Sequence, residues 1–358
     1  MKVAFLSYPM LFQNIGGLQV QIRETANALV SLGADVRLID PAREHLTEYE
    51  LVHVFSAING NYRVVEYAAA FGIPVLVSPL IRPYWTRPLG RKARFLESVV
   101  GSLTGWLVHT EYREIETCLR LADHLVALGS AEKRAIVEGF RVPPASVTVV
   151  PNGIPDRFFR PDRELFCRRY DISPGYVLNV ATVSPHKNQL ALAEALSGTG
   201  MELVIIGPCL DTHRDYLAQV TKHPHVRYLG PLDYSDPALP SAYALASVFC
   251  LPSQSEVMPL SVLESLAAGT PSIMTKHHGM DLGTVPRALD FVEPSDRGAI
   301  RRAVMSMRAA TDVDACLELA RRYTWRGVAE ALIKIYGSLI ASRSPISTQD
   351  VKSCLLVD

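Results

Sequence analysis

Short apolar runs alternate along the chain with longer segments in which apolar residues recur every three or four positions. The runs are typical of buried parallel strands, and the segments between them are typical of amphipathic helices. Because strand and helix alternate, the pattern predicts an α/β fold built on doubly wound parallel sheets. The predicted strands cover residues 2–6, 36–39, 51–55, 74–78, 124–128, 147–150, 176–181, 203–206, 248–251 and 272–275.

The predicted elements fall into two halves that begin alike. A β-loop-α-β unit starts at residue 2, and a second starts at residue 176 after the charged segment 161–175. A chain of 358 residues is long enough for two domains that each bury a core. We therefore predict one domain over residues 1–165 and another over residues 166–325. The polar, aperiodic residues 342–358 are predicted to form a poorly ordered tail.

The composition narrows the classes of partner and the compartment. With 36 basic and 36 acidic residues the net charge is zero, which argues against a nucleic-acid partner. The six cysteines form no C-x-x-C pair, which indicates reduced thiols rather than a disulfide framework or a zinc site. No apolar run is long enough to span a bilayer. We expect a cytoplasmic protein, either soluble or peripheral at the inner face of the membrane.

Residues 247–269, SVFCLPSQSEVMPLSVLESLAAG, contain the strongest candidate chemistry. A strand, a polar turn and a helix that begins at Pro259–Leu260 follow one another, so backbone N–H groups at the helix N-terminus can face an anion. Glu256 lies before that terminus, and Glu264 lies about a turn inside the helix. Carboxylates only accept hydrogen bonds, so the pair suits a ligand with hydroxyls at both ends and phosphate between them. The alternative is two solvated glutamates on a surface helix.

Gly16 and Gly17 stand at the start of the first predicted helix, after a long loop. Glycine lets a phosphate approach the backbone closely, although a turn that merely needs glycine is the alternative. The loop lacks the G-x-G-x-x-G pattern and has no acidic residue placed for a nicotinamide ribose. These absences argue against an NAD-dependent oxidoreductase, which is a rival hypothesis for this fold class.

The eight-residue spacing of Glu256 and Glu264, within SEVMPLSVLESLAAGTPSI, resembles the donor-sugar motif of the GT-B glycosyltransferases of family 4. The resemblance covers most of the chain and implies a GT-B fold, with two Rossmann-like domains facing across a cleft. It also implies that residues 326–341 form a final helix that returns to the first domain. In the family the first glutamate contacts the transferred sugar and the second contacts the ribose of the nucleotide. Val257 stands here where the family usually has a glycine.

Other positions of the family motif map onto this chain, and residues 226–231, VRYLGP, resemble the family's strand and turn beside the nucleobase. The segment VATVSPHKNQLALAEAL resembles the nucleotide-phosphate loop, so Lys187 would pair with the donor diphosphate. Thr182 stands in place of a companion arginine, and Pro79 and Leu80 stand in place of a histidine that many members carry. The further donor contacts that the resemblance implies are Gly16, Gly17, Gly207, Pro259, Leu260 and Glu264.

The function that the resemblance implies is that of a retaining glycosyltransferase, with Glu256 and Lys187 as catalytic residues and with no metal or other cofactor. It would move a hexose-type sugar from a nucleotide diphosphate sugar to a hydroxyl of a glycan, a glycolipid or a small molecule. Two alternatives remain open. One is a nucleotide-sugar epimerase on the same fold. The other is a catalytically weak partner subunit, which the departures at Thr182 and at residues 79–80 favour.

Two further features have more than one interpretation. Residues 82–106 gather five arginine and lysine side chains around two aromatic residues, followed by apolar residues at helical spacing. They predict either a peripheral contact with anionic lipid or with a lipid-diphosphate acceptor, or an ordinary acceptor-side loop and amphipathic helix. His53, on a predicted strand, is either a core residue or a base. The pair His277–His278 is not predicted to bind metal, because neighbours on an extended chain point apart.

Overall fold

The computed structural model describes residues 1–13, 16–105, 108, 110–309 and 311–342. These residues form two compact units. The first contains residues 1–13, 21–151 and 326–342, and the second contains residues 16–20 and 152–325. The observed division falls after Pro151, whereas the sequence placed it after residue 165. Residues 152–165 belong to the second unit. The residue that follows them, Phe166, donates its backbone N–H to Ser241 Oγ of the same unit at 2.9 Å.

The first unit is built on a six-stranded parallel sheet with the order β2-β1-β3-β4-β5-β6. Its central strands are apolar runs that are buried over their whole length, as expected for a sheet covered on both faces. The strands are β1 Lys2–Leu6, β2 Asp35–Leu38, β3 Leu51–Phe55, β4 Val75–Ser78, β5 His124–Ala127 and β6 Val147–Val149. The helices are α1 Gly17–Ser31, whose first four residues group with the second unit, α2 Tyr62–Ala70, α3 Arg87–Thr104, α4 Glu111–Leu121, α5 Ser130–Phe140 and α13 Trp325–Ser342.

The second unit repeats this architecture, with the strand order β12-β11-β10-β7-β8-β9. Every strand pairing in the two sheets is parallel. The strands are β7 Val177–Val180, β8 Leu203–Ile206, β9 Val226–Tyr228, β10 Val248–Leu251, β11 Ser272–Thr275 and β12 Leu289–Val292. The helices are α6 Leu165–Tyr170, α7 Gln189–Leu196, α8 Arg214–Thr221, α9 Ala238–Leu245, α10 Leu260–Ala267, α11 Arg297–Ala309 and α12 Val313–Ala320.

The predicted class, two doubly wound parallel sheets, is confirmed. One edge strand, β12, was not predicted from sequence. Its residues LDFV are buried only at the two ends, and Asp290 interrupts the apolar run by which a buried strand is recognised. The predicted tail from residue 343 onward and Trp106 of the basic segment lie outside the described residues. Within the described part of the chain, no helix is both long and apolar enough to cross a bilayer.

The strand order of the second unit fixes where its loops meet. Strand β7 lies between β8, which follows it along the chain, and β10, with which it pairs at Val177–Val248 and Leu178–Phe249. The chain therefore leaves β7 and β10 in opposite directions across the sheet. Ligands of open parallel sheets bind at such a switch point, outside the carboxyl ends of the two strands.

Candidate active site

The loops that follow β7 and β10 carry the predicted site residues Lys187, Glu256 and Pro259 and are bonded to each other. Gln254 donates its backbone N–H to the carbonyl of His186 at 2.8 Å. The His186 ring Nε2 lies 2.9 Å from the carbonyl oxygen of Ser255. Asn188, in the left-handed region at φ +60°, donates its side-chain amide to the carbonyl of Pro252 at 3.0 Å. These bonds hold the two loops in one arrangement.

Lys187 and Glu256 meet at this switch point. The ammonium Nζ lies 2.6 Å from Glu256 Oε1, with side chains 25% and 10% exposed. Ser184 accepts a hydrogen bond from the Lys187 backbone N–H, which caps the short turn that presents the lysine. The backbone of Glu256 is fixed on both sides, because its N–H donates to the carbonyl of His277 and its carbonyl accepts from Gly279. The structure thus brings together the two residues that the resemblance names as catalytic.

Glu264 lies inside α10 and is 4% exposed. Its Oε2 accepts a hydrogen bond from the Tyr243 hydroxyl at 2.8 Å, and Tyr243 on α9 is fully buried. Burial raises the pKa of Tyr243 well above its ordinary value, so the phenol stays neutral and keeps its proton to donate. Tyr243 is not among the site residues predicted from the sequence. The phenol fixes the orientation of the carboxylate that is the candidate ribose contact.

The N-terminus of α10 lies between the two glutamates. Pro259 precedes the helix in an extended conformation, and its ring cannot cap the helix with a side-chain hydrogen bond. The first N–H groups of a helix have no partner within it, and here the first helical residues are Leu260 and Ser261. They follow directly from the loop that carries Glu256. The arrangement supplies partial positive charge at the end of the loop that carries Glu256.

Glycines predicted to contact a ligand have different structural roles. Gly207 follows β8 at φ +149°, where an added Cβ would stand 2.0 Å from the carbonyl oxygen of Ala181, so only glycine fits. Its N–H donates to Gly230 and its carbonyl accepts from Tyr228. By contrast, an added Cβ at Gly17 would meet nothing within 4 Å. Contact of these glycines, and of Gly16, with a ligand stays a prediction.

Two buried amides that the sequence analysis missed support the loop after β7. Asn179, on β7, donates to the carbonyl of Cys250 on β10 at 2.7 Å. Gln189 donates its side-chain amide to the carbonyl of Thr182 at 3.1 Å and accepts from the Ser184 N–H at 3.3 Å. Both side chains are fully buried. The sequence signal for these contacts is an amide within or next to an apolar run, Asn179 in VLNV and Gln189 at the start of QLALAEAL. A buried amide needs hydrogen-bond partners, so each predicts a polar contact.

Lys276 and His277 both lie near the carboxylate of Glu293. Lys276 lies 2.8 Å from Glu293, and this hydrogen bond lowers the pKa of Glu293 to about 2. His277 Nε2 lies 3.5 Å from the same carboxylate. Asp312 caps α12 by accepting from the Ala315 N–H. Among the residues that the structure describes, no group of three or more His, Cys, Asp or Glu side chains is placed to hold a metal ion.

His53 is a core residue of the first unit. It is 1% exposed, its Nδ1 lies 2.7 Å from the Tyr336 hydroxyl, and its Nε2 lies 2.9 Å from Ser78 Oγ. Phe5 and Phe55 pack against the ring. Both ring nitrogens are therefore engaged inside the unit, which supports the core interpretation over that of a base.

As the pH falls below about 6.5, His53 is expected to lower the free energy of unfolding of the first unit, whereas Glu132, whose pKa burial raises to about 7, is expected to increase it. Burial lowers the pKa of His53 from 6.5 to about 3. Between these values the unfolded chain binds a proton at His53 that the folded chain does not, so the contribution of His53 to the free energy of unfolding decreases by about 1.4 kcal/mol per unit fall in pH. Urea unfolding between about pH 5 and 7 gives the slope of the free energy of unfolding for the wild type and for His53→Gln, in which residue 53 does not titrate. The difference between the two slopes is the contribution of His53. Equal slopes would show that another group is responsible.

Three comparisons with known proteins bear on this geometry. Residues 169–294, which contain the loops described above, match the family model described as glycosyl transferases group 1. A relative from Acidothermus cellulolyticus, named D-inositol 3-phosphate glycosyltransferase, is 29% identical over 259 residues, covering 65% of this chain and 57% of the relative. The chain spans a little over half the length of two curated relatives that it matches, 57% and 53%.

Solved structures resemble the chain over nearly its whole length. A sucrose-phosphate synthase from Thermosynechococcus elongatus has a TM-score of 0.76 at 18% identity, covering 96% of this chain and all of that one. The Anabaena protein Alr3699/HepE, in complex with UDP-glucose, has a TM-score of 0.70 at 14% identity, covering 94% of this chain and all of that one. At these identities the likeness shows a shared fold, the two-domain Rossmann-like GT-B fold.

Proposed function

We propose that this protein is a glycosyltransferase that uses a nucleotide diphosphate sugar. The chain has the GT-B fold, and its residues 169–294 match the group 1 glycosyl transferases. The observation that carries the proposal is the Lys187–Glu256 pair at the switch point of the second sheet, beside the N-terminus of α10. A cation and a helix terminus suit a diphosphate, and a carboxylate suits sugar hydroxyls. The Anabaena protein's complex with UDP-glucose supports this ligand class.

In the proposed reaction the bond from the anomeric carbon to the diphosphate oxygen breaks, and its electron pair passes to that oxygen. Lys187 and the first N–H groups of α10 stabilise the negative charge that develops there, which is electrostatic assistance to the leaving group. Glu256 accepts hydrogen bonds from the sugar hydroxyls and orients the ring. Glu264, held by Tyr243, accepts from the ribose. The acceptor oxygen bonds to the anomeric carbon, and its proton passes to the leaving diphosphate.

Transfer of the proton to the leaving group on the same face gives retention of configuration. The side chains of residues 53, 79 and 80 in the first unit support this part of the proposal. An inverting reaction needs a base within hydrogen-bond reach of the acceptor hydroxyl. At the carboxyl end of β4 the chain carries Pro79 and Leu80, which have no titratable side chain. His53, on the neighbouring strand β3, is fully engaged by Ser78 and Tyr336.

The transfer product is expected to keep the donor's anomeric configuration. The test first identifies the donor by binding of UDP-, GDP- and ADP-sugars, then follows the reaction by proton NMR with hydroxylated acceptors. Inositol phosphates are the first acceptors to try, because relatives are named for D-inositol 3-phosphate. An inverted anomeric coupling in the fresh product would contradict the mechanism while leaving the donor site intact.

The same experiment separates the remaining alternatives. An epimerase would convert the nucleotide sugar in the absence of any acceptor. A catalytically weak partner subunit, which Thr182 and Pro79–Leu80 favour, would bind the donor without turnover. Acceptor-dependent release of the nucleotide diphosphate is the result that the proposal requires.

A further inference from the structure

Helix α3 of the first unit exposes large apolar side chains to solvent. Leu103 is 81% exposed and Phe95 is 69% exposed, and Leu96 and Val99 are exposed by 50% and 40%. Phe95, Val99 and Leu103 recur at every fourth position, so they form one continuous strip on the outer side of the helix. Single exposed apolar residues are ordinary, but a contiguous strip of four on one helix marks an interaction surface.

The exposed charges on the same helix have one sign. Arg87, Arg91 and Lys92 are exposed in its first half, whereas the apolar strip occupies the second half. The acidic residue of α3, Glu97, is 5% exposed, accepts a hydrogen bond from the Thr110 hydroxyl and lies 3.8 Å from Arg113 Nε. The outer face of α3 therefore combines apolar side chains with cations and presents no carboxylate.

The opposite face of α3 is fixed to the first unit, so the apolar strip cannot turn inward. An added Cβ at Gly90 would stand 2.0 Å from the carbonyl oxygen of Gly139 on α5, which shows how closely the two helices approach. Trp85, just before α3, packs over Gly139 and against Phe140. Helix α3 is held rigidly with its basic and apolar face outward.

We propose that α3 docks the first unit onto the surface of an anionic lipid bilayer. A helix at a bilayer interface places apolar side chains among the acyl chains and cations at the lipid phosphates, which is the division found on α3. Tyr84, 51% exposed ahead of the helix, has the amphipathic ring typical of the headgroup level. A second copy of the chain fits less well, since α3 offers no exposed carboxylate to pair with the cations of its copy. The proposal does not depend on sugar transfer.

The test uses the full chain and vesicles of phosphatidylcholine, with and without an equal part of phosphatidylglycerol. We expect binding to the anionic vesicles that weakens as salt screens the surface charges. Each basic residue near an anionic surface contributes on the order of 1 kcal/mol, so Arg87→Glu with Arg91→Glu should lower the partition coefficient by at least about 30-fold. Phe95→Ser with Leu103→Ser should lower it by at least about tenfold, because less apolar surface is buried.

Matched controls lie on α11 of the second unit, where Arg302, Met305 and Arg308 are exposed. Arg302→Glu with Arg308→Glu, and Met305→Ser, are expected to bind anionic vesicles as the wild type does. Circular dichroism and urea midpoints verify that every variant is folded. Equal binding of the wild type to both vesicle types, no binding to either, or unchanged binding of both α3 variants would overturn the proposal. So would a wild-type dimer in solution that Phe95→Ser with Leu103→Ser dissociates without a change in vesicle binding.

Discussion

Replacing Lys187 with alanine is expected to lower kcat by about 10² to 10³, the effect of removing one preorganised partner of a developing oxyanion. The lysine lies at the switch point of the second sheet, 2.6 Å from Glu256, and the companion arginine that the resemblance would imply is absent, since Thr182 stands at that position. The variant should also bind the nucleoside diphosphate more weakly while binding the nucleoside as before. Steady-state kinetics and calorimetry with the identified donor measure the two effects.

A matched control is Arg297→Ala, which removes the cation of another close ion pair in the second unit, 2.8 Å from Glu194 on α7. It should leave both kcat and diphosphate affinity near the wild-type values. Glu256→Gln tests the other member of the ion pair, because it removes the negative charge that lies 2.6 Å from the Lys187 ammonium. We expect it to lower kcat yet leave diphosphate affinity equal or higher. Equal weakening of diphosphate and nucleoside by Lys187→Ala would show that this lysine does not contact phosphate.

Glu264→Gln is expected to weaken nucleotide binding by about 1–3 kcal/mol, the cost of losing a charge-assisted hydrogen bond to a ribose hydroxyl. The amide is chosen over alanine because Glu264 is 4% exposed and alanine would leave a cavity against Tyr243. Comparison of the ribose nucleotide with its 2′-deoxy and 3′-deoxy forms locates the contact. The wild type should discriminate against one of them, and the variant should lose that discrimination.

Tyr243→Phe tests how much nucleotide affinity depends on the orientation of the Glu264 carboxylate. It removes the phenol that donates to Glu264 at 2.8 Å but leaves the carboxylate in place. A smaller loss of affinity with discrimination partly retained is expected, since the carboxylate loses its orientation rather than its charge. If Glu264→Gln binds all the nucleotides as the wild type does, Glu264 is a structural partner of Tyr243 and not a ribose contact.

The sequence predicted the elements of the sheets well, because buried parallel strands are short apolar runs bounded by polar loops. It also indicated that Lys187 and Glu256 belong to one site, although 68 residues lie between them in the chain. Parallel strands bring their carboxyl ends to one edge, so residues that follow two paired strands meet whatever their separation in sequence. The pairing of β7 with β10 is the physical reason that Lys187 and Glu256 meet in the structure.

Buried polar contacts between distant elements were harder to predict. Tyr243 stands in ALPSAYAL, a segment whose buried helix gives no sign that one hydroxyl meets a carboxylate on α10. Glu132 is fully buried and accepts from the backbone N–H groups of Ile81 and Leu128, though its sequence context is that of an ordinary first helical turn. Such pairs depend on the approach of elements distant in sequence, and local periodicity carries no information about that approach.

The position of the last helix bears on how the protein is made. The first unit needs α13, whose Tyr336 lies against His53 at the centre of the first sheet, yet that helix is the last element of the described chain to be synthesised. Domains generally fold as units while the chain emerges from the ribosome. The N-terminal unit must therefore wait, with the Tyr336 side of His53 uncovered, until the whole C-terminal unit has been translated. The unit that begins first is the one that is completed last.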